Sequence, residues 1–294
     1  MNVSFVGIVF NGSPFLEACI EAVKPFGPVY FVEGPVSHYG KLGFTTSTDD
    51  TNQVLADLIG EAHVYHGQFE EKDEMMWASE RLIPQDSTFV FMVDSDEVWR
   101  RQDLEKIFAL LETNKYDSMA FTADSFWCGY DHIVTGWERD FQVHRVKRWK
   151  ENPHWVTHRP PTVNAPDGSP WREHRHLSHL ATLAMGLSMP HYSYVNPLQV
   201  RMKDAYYNTY DPTMCIPGYF REVFIAWARG NEEARREIEK KYQGVHNFRA
   251  NRRGPCFTQK FTGQHPESIQ KRLPQLQARF DQELSEVIAE MRCG

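Results

Sequence analysis

The sequence has no stretch approaching the roughly 18 consecutive apolar residues that a membrane-spanning helix needs, so no transmembrane segment is expected. It also has no C-x-x-C: the five cysteines (Cys19, Cys128, Cys215, Cys256 and Cys293) are odd in number and widely spaced. That suits reduced thiols in a cytoplasm better than a disulfide framework or a zinc knuckle. Met1-Asn2-Val3-Ser4 runs straight into a strand pattern, without the basic segment, apolar run and cleavage site of a secretory leader. A cytoplasmic protein is the expectation. Internal repeats and low-complexity tracts are absent, which removes solenoids and disordered tails. Positive charge is not in excess either, and a net charge of −7 argues against a chain that coats nucleic acid nonspecifically.

At 294 residues, with 41% apolar and 24% charged, the chain can bury a large core. The charge is unevenly spread: between Arg221 and Arg279 thirteen Lys/Arg stand against six Asp/Glu. A basic C-terminal stretch of this kind meets a polyanionic acceptor or is a solvated surface, and the second use is the commoner.

Val3–Phe10 is a short apolar, β-branched run that reads as a buried strand. Asn11-Gly12-Ser13-Pro14 breaks it, with Ser13 placed to cap a helix that opens on Pro14 and carries Phe15, Leu16, Cys19, Ile20 and Val23 on one stripe. Val29–Val32 is a second strand, ending in Glu33-Gly34. Strand, helix and strand within about 30 residues make a βαβ unit and predict a parallel sheet. Asp49 or Asp50 is placed to cap a helix carrying Val54, Leu55, Leu58 and Ile59, and a further helix is expected from Asp73 to Arg81. Thr88–Val93 is the most apolar strand of the chain, and Asp94-Ser95-Asp96-Glu97 stands at its carboxyl end. Beyond a helix at Leu104–Leu111, residues from about 118 to 191 are rich in His, Trp, Pro and Arg, and from Asn196 helices dominate, Glu232–Tyr242 being the clearest. Three regions follow: 1–115, an α/β half; 116–195, a sheet extension with long loops; and 196–294, helical and basic.

Two carboxylates one residue apart at a strand end can direct oxygens into one small volume, which suits a hard divalent ion such as Mn²⁺ or Mg²⁺. Open α/β sheets bind ligands beyond the carboxyl ends of their strands, so this is where such a pair would act. The bland alternative is a solvated loop whose acids cap the next helix. At these residues the chain resembles glycosyltransferases of the GT-A fold, akin to glycosyltransferase family 2. The opening strand with Asn11-Gly12, Ser47-Thr48-Asp49-Asp50-Thr51 (an "S-x-D-x-T" turn) and Asp94-Ser95-Asp96-Glu97 (a "D-A-D-E" metal motif) carry the resemblance. So do Val143-His144-Arg145-Val146-Lys147-Arg148 with Val156-Thr157-His158, and His191-Tyr192-Ser193-Tyr194 with Lys203. Arg159 departs from the pattern, which commonly has an acid there. Phe261–Pro266 is similar to a late "G-x-H-P" motif.

The resemblance implies a Rossmann-like, mixed but mostly parallel sheet flanked by helices, with a helical C-terminal region. It implies that Glu33 and Asp49 or Asp50 hold the nucleoside, that Asp96 contacts the metal directly, and that Asp94 meets the ribose or the metal through water. His191 is then the last protein ligand of the metal, and Lys203 neutralises phosphate. The implied activity is transfer of a hexose from a nucleoside diphosphate sugar, a uridine nucleotide being favoured, to an acceptor hydroxyl. A glycan is the favoured acceptor and a hydroxymethylated base in DNA a lesser one. Inverting transfer needs a carboxylate to take the acceptor's proton; Asp124, Asp131, Glu138 and Asp140 all fall in the right window, with Glu138 and Asp140 preferred and not separable. Trp127, Tyr130, Trp137, Trp149 and Trp155 cluster there too, as sugar-stacking faces or as core. His174, His176 and His179, or His154 and His158, have zinc-like spacing but no supporting cysteines. Two other readings stand beside the transferase. One is a nucleotidyltransferase, which would need a glycine-rich phosphate loop that Asn11-Gly12-Ser13-Pro14 does not provide. The other is a non-catalytic protein of the same fold that binds sugar or nucleic acid.

Overall fold

A computed structural model describes residues 1–151 and 153–293, with Cys293 described in its backbone alone. Among the described residues the strands are, in chain order, β1 (Val3–Val9), β2 (Val29–Glu33), β3 (Val64–His66), β4 (Phe89–Met92), β5 (Ser118–Phe121), β6 (Ala123–Trp127) and β7 (His132–Val134). After these come β8 (Val143–Arg148), β9 (Trp155–His158), β10 (Pro161–Val163), β11 (His176–Leu177), β12 (Met189–Tyr194) and β13 (Thr258–Lys260). The chain divides into two compact units. The first comprises Met1–Thr122, Gln142–Met189 and Pro266–Ile269; the second comprises Ala123–Phe141, Pro190–His265 and the chain from Gln270 on.

The first unit is built on a seven-stranded mixed sheet of order β11-β5-β8-β4-β1-β2-β3. β1 pairs in parallel with β2 and β4, β2 with β3, and β5 with β11, while β8 runs antiparallel to both β4 and β5. This is the α/β, mostly parallel architecture expected. All seven residues of β1 and all four of β4 are buried, which is why both read as unbroken apolar runs rather than as alternating ones. Helices Leu16–Val23, Thr51–Leu58, Lys72–Ser79 and Arg101–Glu112 alternate with the strands, and the first buries Leu16, Cys19, Ile20 and Val23 as one stripe. Phe5 stacks on Phe91 with ring centroids 5.1 Å apart, and Trp99 meets Phe121 edge-on at 4.8 Å. Each such buried ring contributes about 1.5–3 kcal/mol.

Two details position the functional loops. The first helix opens at Leu16, not at Pro14: Phe15 is its N-cap residue, and the N–H groups of Phe15 and Leu16 both donate to the Gly12 carbonyl, at 3.2 and 3.1 Å. Ser13 therefore does not cap it; its N–H is bound to Asp49 instead. The second detail is a bulge in β8. Met119 pairs with Val146 and Ala120 with His144, so Arg145 is the extra residue and falls outside the regular alternation.

Gly34, directly after β2, has φ +147° and lies where a Cβ would stand 1.8 Å from the Gly67 carbonyl oxygen. No rotamer change relieves a clash with backbone. Gly34→Ala is expected to destabilise the protein by about 2–3 kcal/mol, read as a lowered melting temperature; an unchanged one would show that the two loops separate at no cost.

The second unit holds the four-stranded sheet β12-β6-β7-β13, in which β7 runs antiparallel to β6 and β13. Helices Pro197–Tyr210, Ala226–Arg229 and Glu232–Tyr242 belong to it, as does the greater part of Glu267–Cys293. Trp127 is its packing centre, with Phe224 at 5.4 Å, Tyr194 at 5.9 Å and Trp227 at 6.3 Å. No helix among the described residues is long and apolar enough to cross a membrane.

Candidate functional site

In the first unit the loops after β1, β2 and β4 all leave the carboxyl edge of the parallel strands. The loop after β1 is stitched to Ser47–Thr51 by side chain to backbone bonds. Asn11 N–H donates to Ser47 Oγ at 2.9 Å, Gly12 N–H to Thr51 Oγ1 at 2.7 Å, and Ser13 N–H to Asp49 Oδ2 at 3.0 Å. In return Thr48 N–H donates to Asn11 Oδ1 at 2.7 Å. Asp49 Oδ1 accepts the Thr51 N–H at 3.1 Å, so Asp49 supplies the turn at the head of the helix Thr51–Leu58. Asp50, the N-cap residue of that helix, makes no capping bond with its side chain and is exposed. Glu33 is buried, with Oε1 accepting the Ser47 N–H at 3.2 Å and Oε2 3.1 Å from His66 Nδ1. His66 in turn reaches Glu61 at 3.1 Å. Burial works against the charged form of His66, and hydrogen bonds to Glu33 and Glu61 outweigh it, so its pKa is raised.

Asp94, Ser95, Asp96 and Glu97 form a tight turn after β4, closed by Glu97 N–H donating to the Asp94 carbonyl at 2.9 Å. Gly12 matters here: a Cβ on it would lie 3.0 Å from the Cβ of Ser95, so the β1 and β4 loops approach closely. Glu97 is fully buried and bound to Arg145, whose Nε donates to Oε2 at 2.8 Å and whose Nη2 donates to Oε1. The same Nη2 donates to Asp94 Oδ2 at 2.8 Å. One guanidinium thus holds two carboxylates of the cluster. Burial pushes the Asp94 carboxyl up, but Arg145, and to a lesser degree His158 and Lys72, hold it below the usual carboxylate range. Asp96 is half-buried in the same turn. The Cys19 thiol donates to the Asp94 carbonyl at 3.5 Å; burial, then Glu97, Asp96 and Asp94, push its pKa far up, so it stays a thiol.

His191, Lys203, Glu138 and Asp140 lie in the second unit. Gly136, at φ +73°, lies where a Cβ would stand 2.3 Å from the Pro255 carbonyl oxygen, and this close approach docks the short helix Trp137–Asp140. Glu138 is largely buried, and its Oε1 accepts the Ser125 hydroxyl at 3.1 Å. Ser125 Oγ also lies 3.2 Å from His191 Nδ1. With the hydroxyl proton given to Glu138, Nδ1 of His191 is the donor, which leaves the neutral ring's lone pair on Nε2. Lys203 Nζ donates to Ser193 Oγ and lies 5.2 Å over the Tyr194 ring. Asp140, by contrast, is exposed, and Asp124 is paired with Arg139.

No family model and no curated protein matches the sequence. Among solved structures, S. aureus TarS 1–349 in complex with UDP is similar over 84% of this chain and 72% of that one, at 13% identity and a TM-score of 0.40. Another crystal structure of TarS 1–349 is similar over 42% of this chain at 16% identity and a TM-score of 0.33; the chain spans 36% of its length. Glucosyl-3-phosphoglycerate synthase from Mycobacterium tuberculosis, in complex with Mn²⁺, UDP and glucosyl-3-phosphoglycerate, is similar over 43% of this chain and 44% of that one, at 18% identity and a TM-score of 0.31.

Among the described residues no three His, Cys, Asp or Glu side chains close into a metal cage. The zinc spacing accordingly dissolves: His174 bonds Ser169 at 2.7 Å, whereas His176 lies between Ser118 at 2.7 Å and Gln142 at 2.9 Å. Of the five clustered aromatics, Trp127, Tyr130, Trp149 and Trp155 are buried as core, leaving Trp137 half-buried. Two residues carry roles that sequence reading left unassigned. Arg145 lies in the Val143–Arg148 segment, but only the bulge reveals its direction. Lys147 is 1% exposed with no hydrogen-bond partner on Nζ, and burial, then Arg145 and Arg172, push its pKa far down toward a neutral amine.

Proposed function

We propose that this chain is a metal-dependent glycosyltransferase that moves a hexose from a uridine diphosphate sugar to an acceptor hydroxyl. The observation that supports this most is the Asp94-Ser95-Asp96 turn at the carboxyl end of β4. There Asp94 is held ionised by Arg145 beside loops built for close approach. The donor set suits the ion: two hard carboxylates without a preformed cage are what Mg²⁺ or Mn²⁺ takes when phosphates and water complete its sphere. Since Arg145 occupies Asp94 Oδ2, Asp96 is the direct ligand in this reading, and Asp94 acts on the ribose or through water. His191 is the imidazole proposed as a further ligand, and its bond to Ser125 leaves the ring's lone pair on Nε2. Such an ion supplies charge stabilisation to the departing diphosphate.

The chain's own groups do the rest. Asp49 shapes the nucleoside-side turn and exposed Asp50 is its contact. Glu33, with both oxygens engaged inside the protein, braces that turn. Glu138 takes the proton from the acceptor hydroxyl as that oxygen bonds to the anomeric carbon, and the bond from that carbon to the diphosphate breaks with its electron pair leaving on the nucleotide. Lys203 balances phosphate charge. A glycan hydroxyl is the acceptor class we favour over DNA. The helix Glu232–Tyr242, in the middle of the basic stretch, has no buried residue and pairs Arg236 with Glu232, which describes a solvated surface.

With Mn²⁺ present, the wild-type chain is expected to release UDP from a UDP-hexose, and Asp96→Asn to be slower by about 100-fold or more. An undiminished rate in the variant sinks the ligand assignment. If calorimetry shows sugar or DNA binding that ignores the ion, and no nucleotide is released, the chain is a binding protein instead.

A further inference from the structure

His246 was absent from every motif in the sequence, yet the second unit builds a cage around it. It is 6% exposed, with the rings of Trp137 and Phe248 each 4.9 Å away and that of Tyr194 at 5.1 Å. The backbone N–H of Phe248 donates to His246 Nδ1 at 3.1 Å. A nitrogen that accepts carries no proton, so in the neutral ring the proton sits on Nε2. That nitrogen stands 3.8 Å from Glu138 Oε2.

We propose that His246 is a positioning residue for Glu138: its Nε2–H, oriented by Phe248, faces Oε2 while the Ser125 hydroxyl holds Oε1. This rests on the transferase reading, in which Glu138 is the base. Both carboxylate oxygens are then addressed from within one unit, and the plane of the carboxylate is set before an acceptor arrives. The present 3.8 Å is longer than a hydrogen bond, as catalytic contacts commonly are before substrate tightens them. Neutrality is part of the design. Burial drives the His246 pKa down to about 4; Lys203, Arg253 and His191 push the same way, and Glu138 opposes them. An imidazolium would bind the carboxylate as an ion pair and weaken it as a base, whereas a neutral donor orients it. The acceptor's proton passes to Glu138, and His246 keeps its own throughout.

Two measurements test this. In the full chain labelled with ¹⁵N histidine, the ring signals missing from His246→Gln identify the residue, and at pH 7 its proton should reside on Nε2. A proton on Nδ1, or on both nitrogens, overturns the proposal without reference to any activity. In UDP-release kinetics, His246→Phe should lower kcat by about 10–100-fold with KM for the UDP-hexose unchanged. His246→Gln, whose amide N–H can take the place of Nε2–H, should stay within a few-fold of wild type. His246→Phe at wild-type speed, or equal losses in both variants, overturns the positioning role alone. A wild type that releases no UDP from any UDP-sugar overturns the transferase reading and this proposal with it.

Discussion

Arg145→Met is expected to destabilise the protein by about 3–5 kcal/mol at neutral pH. Glu97 is fully buried and both its oxygens meet the Arg145 guanidinium, while Asp94 takes a further hydrogen bond from the same group. Removing the cation strands the fully buried Glu97, which cannot rehydrate without opening the turn, and leaves the half-buried Asp94 without its partner. Arg145→Lys should recover little, because an ammonium cannot address two carboxylates in the fork geometry that a guanidinium has. The pH dependence has a definite sign. The folded pKa of Asp94 lies below its ordinary value, so its contribution is complete above the unfolded value of roughly 3.9 and is lost as pH falls through the folded value. The gap between wild type and Arg145→Met should therefore be widest near neutrality and narrow below about pH 4. Urea unfolding at pH 7 and at about pH 2.5 reads this out; a gap under about 1 kcal/mol at both would show that the pairs contribute no more than exposed ones. The double variant Glu97→Leu/Arg145→Met should regain much of the lost stability, since an apolar pair leaves less buried charge uncompensated.

That interaction also marks where sequence stops being informative. β1 and β4 were legible because buried parallel strands leave a continuous apolar run, and the carboxylates after β4 were legible because their expected place, the strand's carboxyl end, is a property of the sheet. Arg145 was visible only as a letter in a motif. Its direction depends on the bulge opposite Met119 and Ala120, and a single inserted residue reverses the alternation on which sequence reading relies. The helix after β1 starts at Leu16 rather than at Pro14 for a similar reason. Ser13 had a local use as a cap, but the N-cap position falls to Phe15, and the Ser13 backbone is tied through its N–H to Asp49, 36 residues away. The aromatic cluster left two uses open, and the commoner one holds: Trp127, Trp149 and Trp155 fill core positions, though nothing in composition separates a packed indole from one that stacks on sugar. His246 gave no local signal at all, because its significance lies in Glu138, which is 108 positions earlier, and in one backbone N–H.

Glu138→Gln is the substitution expected to reduce turnover most, by about 10²–10⁴-fold in kcat with KM for the UDP-hexose little changed. The amide oxygen of glutamine can still accept the Ser125 hydroxyl, and it leaves the Trp137–Asp140 turn docked against Pro255 through Gly136, so folding should be preserved. What the amide lacks is the ability to take a proton. Sequence spacing left Glu138 and Asp140 equal. The structure gives them different surroundings: Glu138 is largely buried and joined to Ser125, and through it to His191, whereas Asp140 is exposed at the end of the same turn. A base that must be held at a set angle to its proton needs the first environment. Asp140→Asn should accordingly stay within a few-fold of wild type, and Asp124→Asn, which breaks the ion pair with Arg139, should affect stability before rate. The decisive comparison is Glu138→Gln against Asp140→Asn under identical UDP-hexose and Mn²⁺. The reverse order of losses would move the base to Asp140. Wild-type rates in both would mean that neither carboxylate accepts the proton, as in a transfer that retains configuration, where the leaving diphosphate itself can serve.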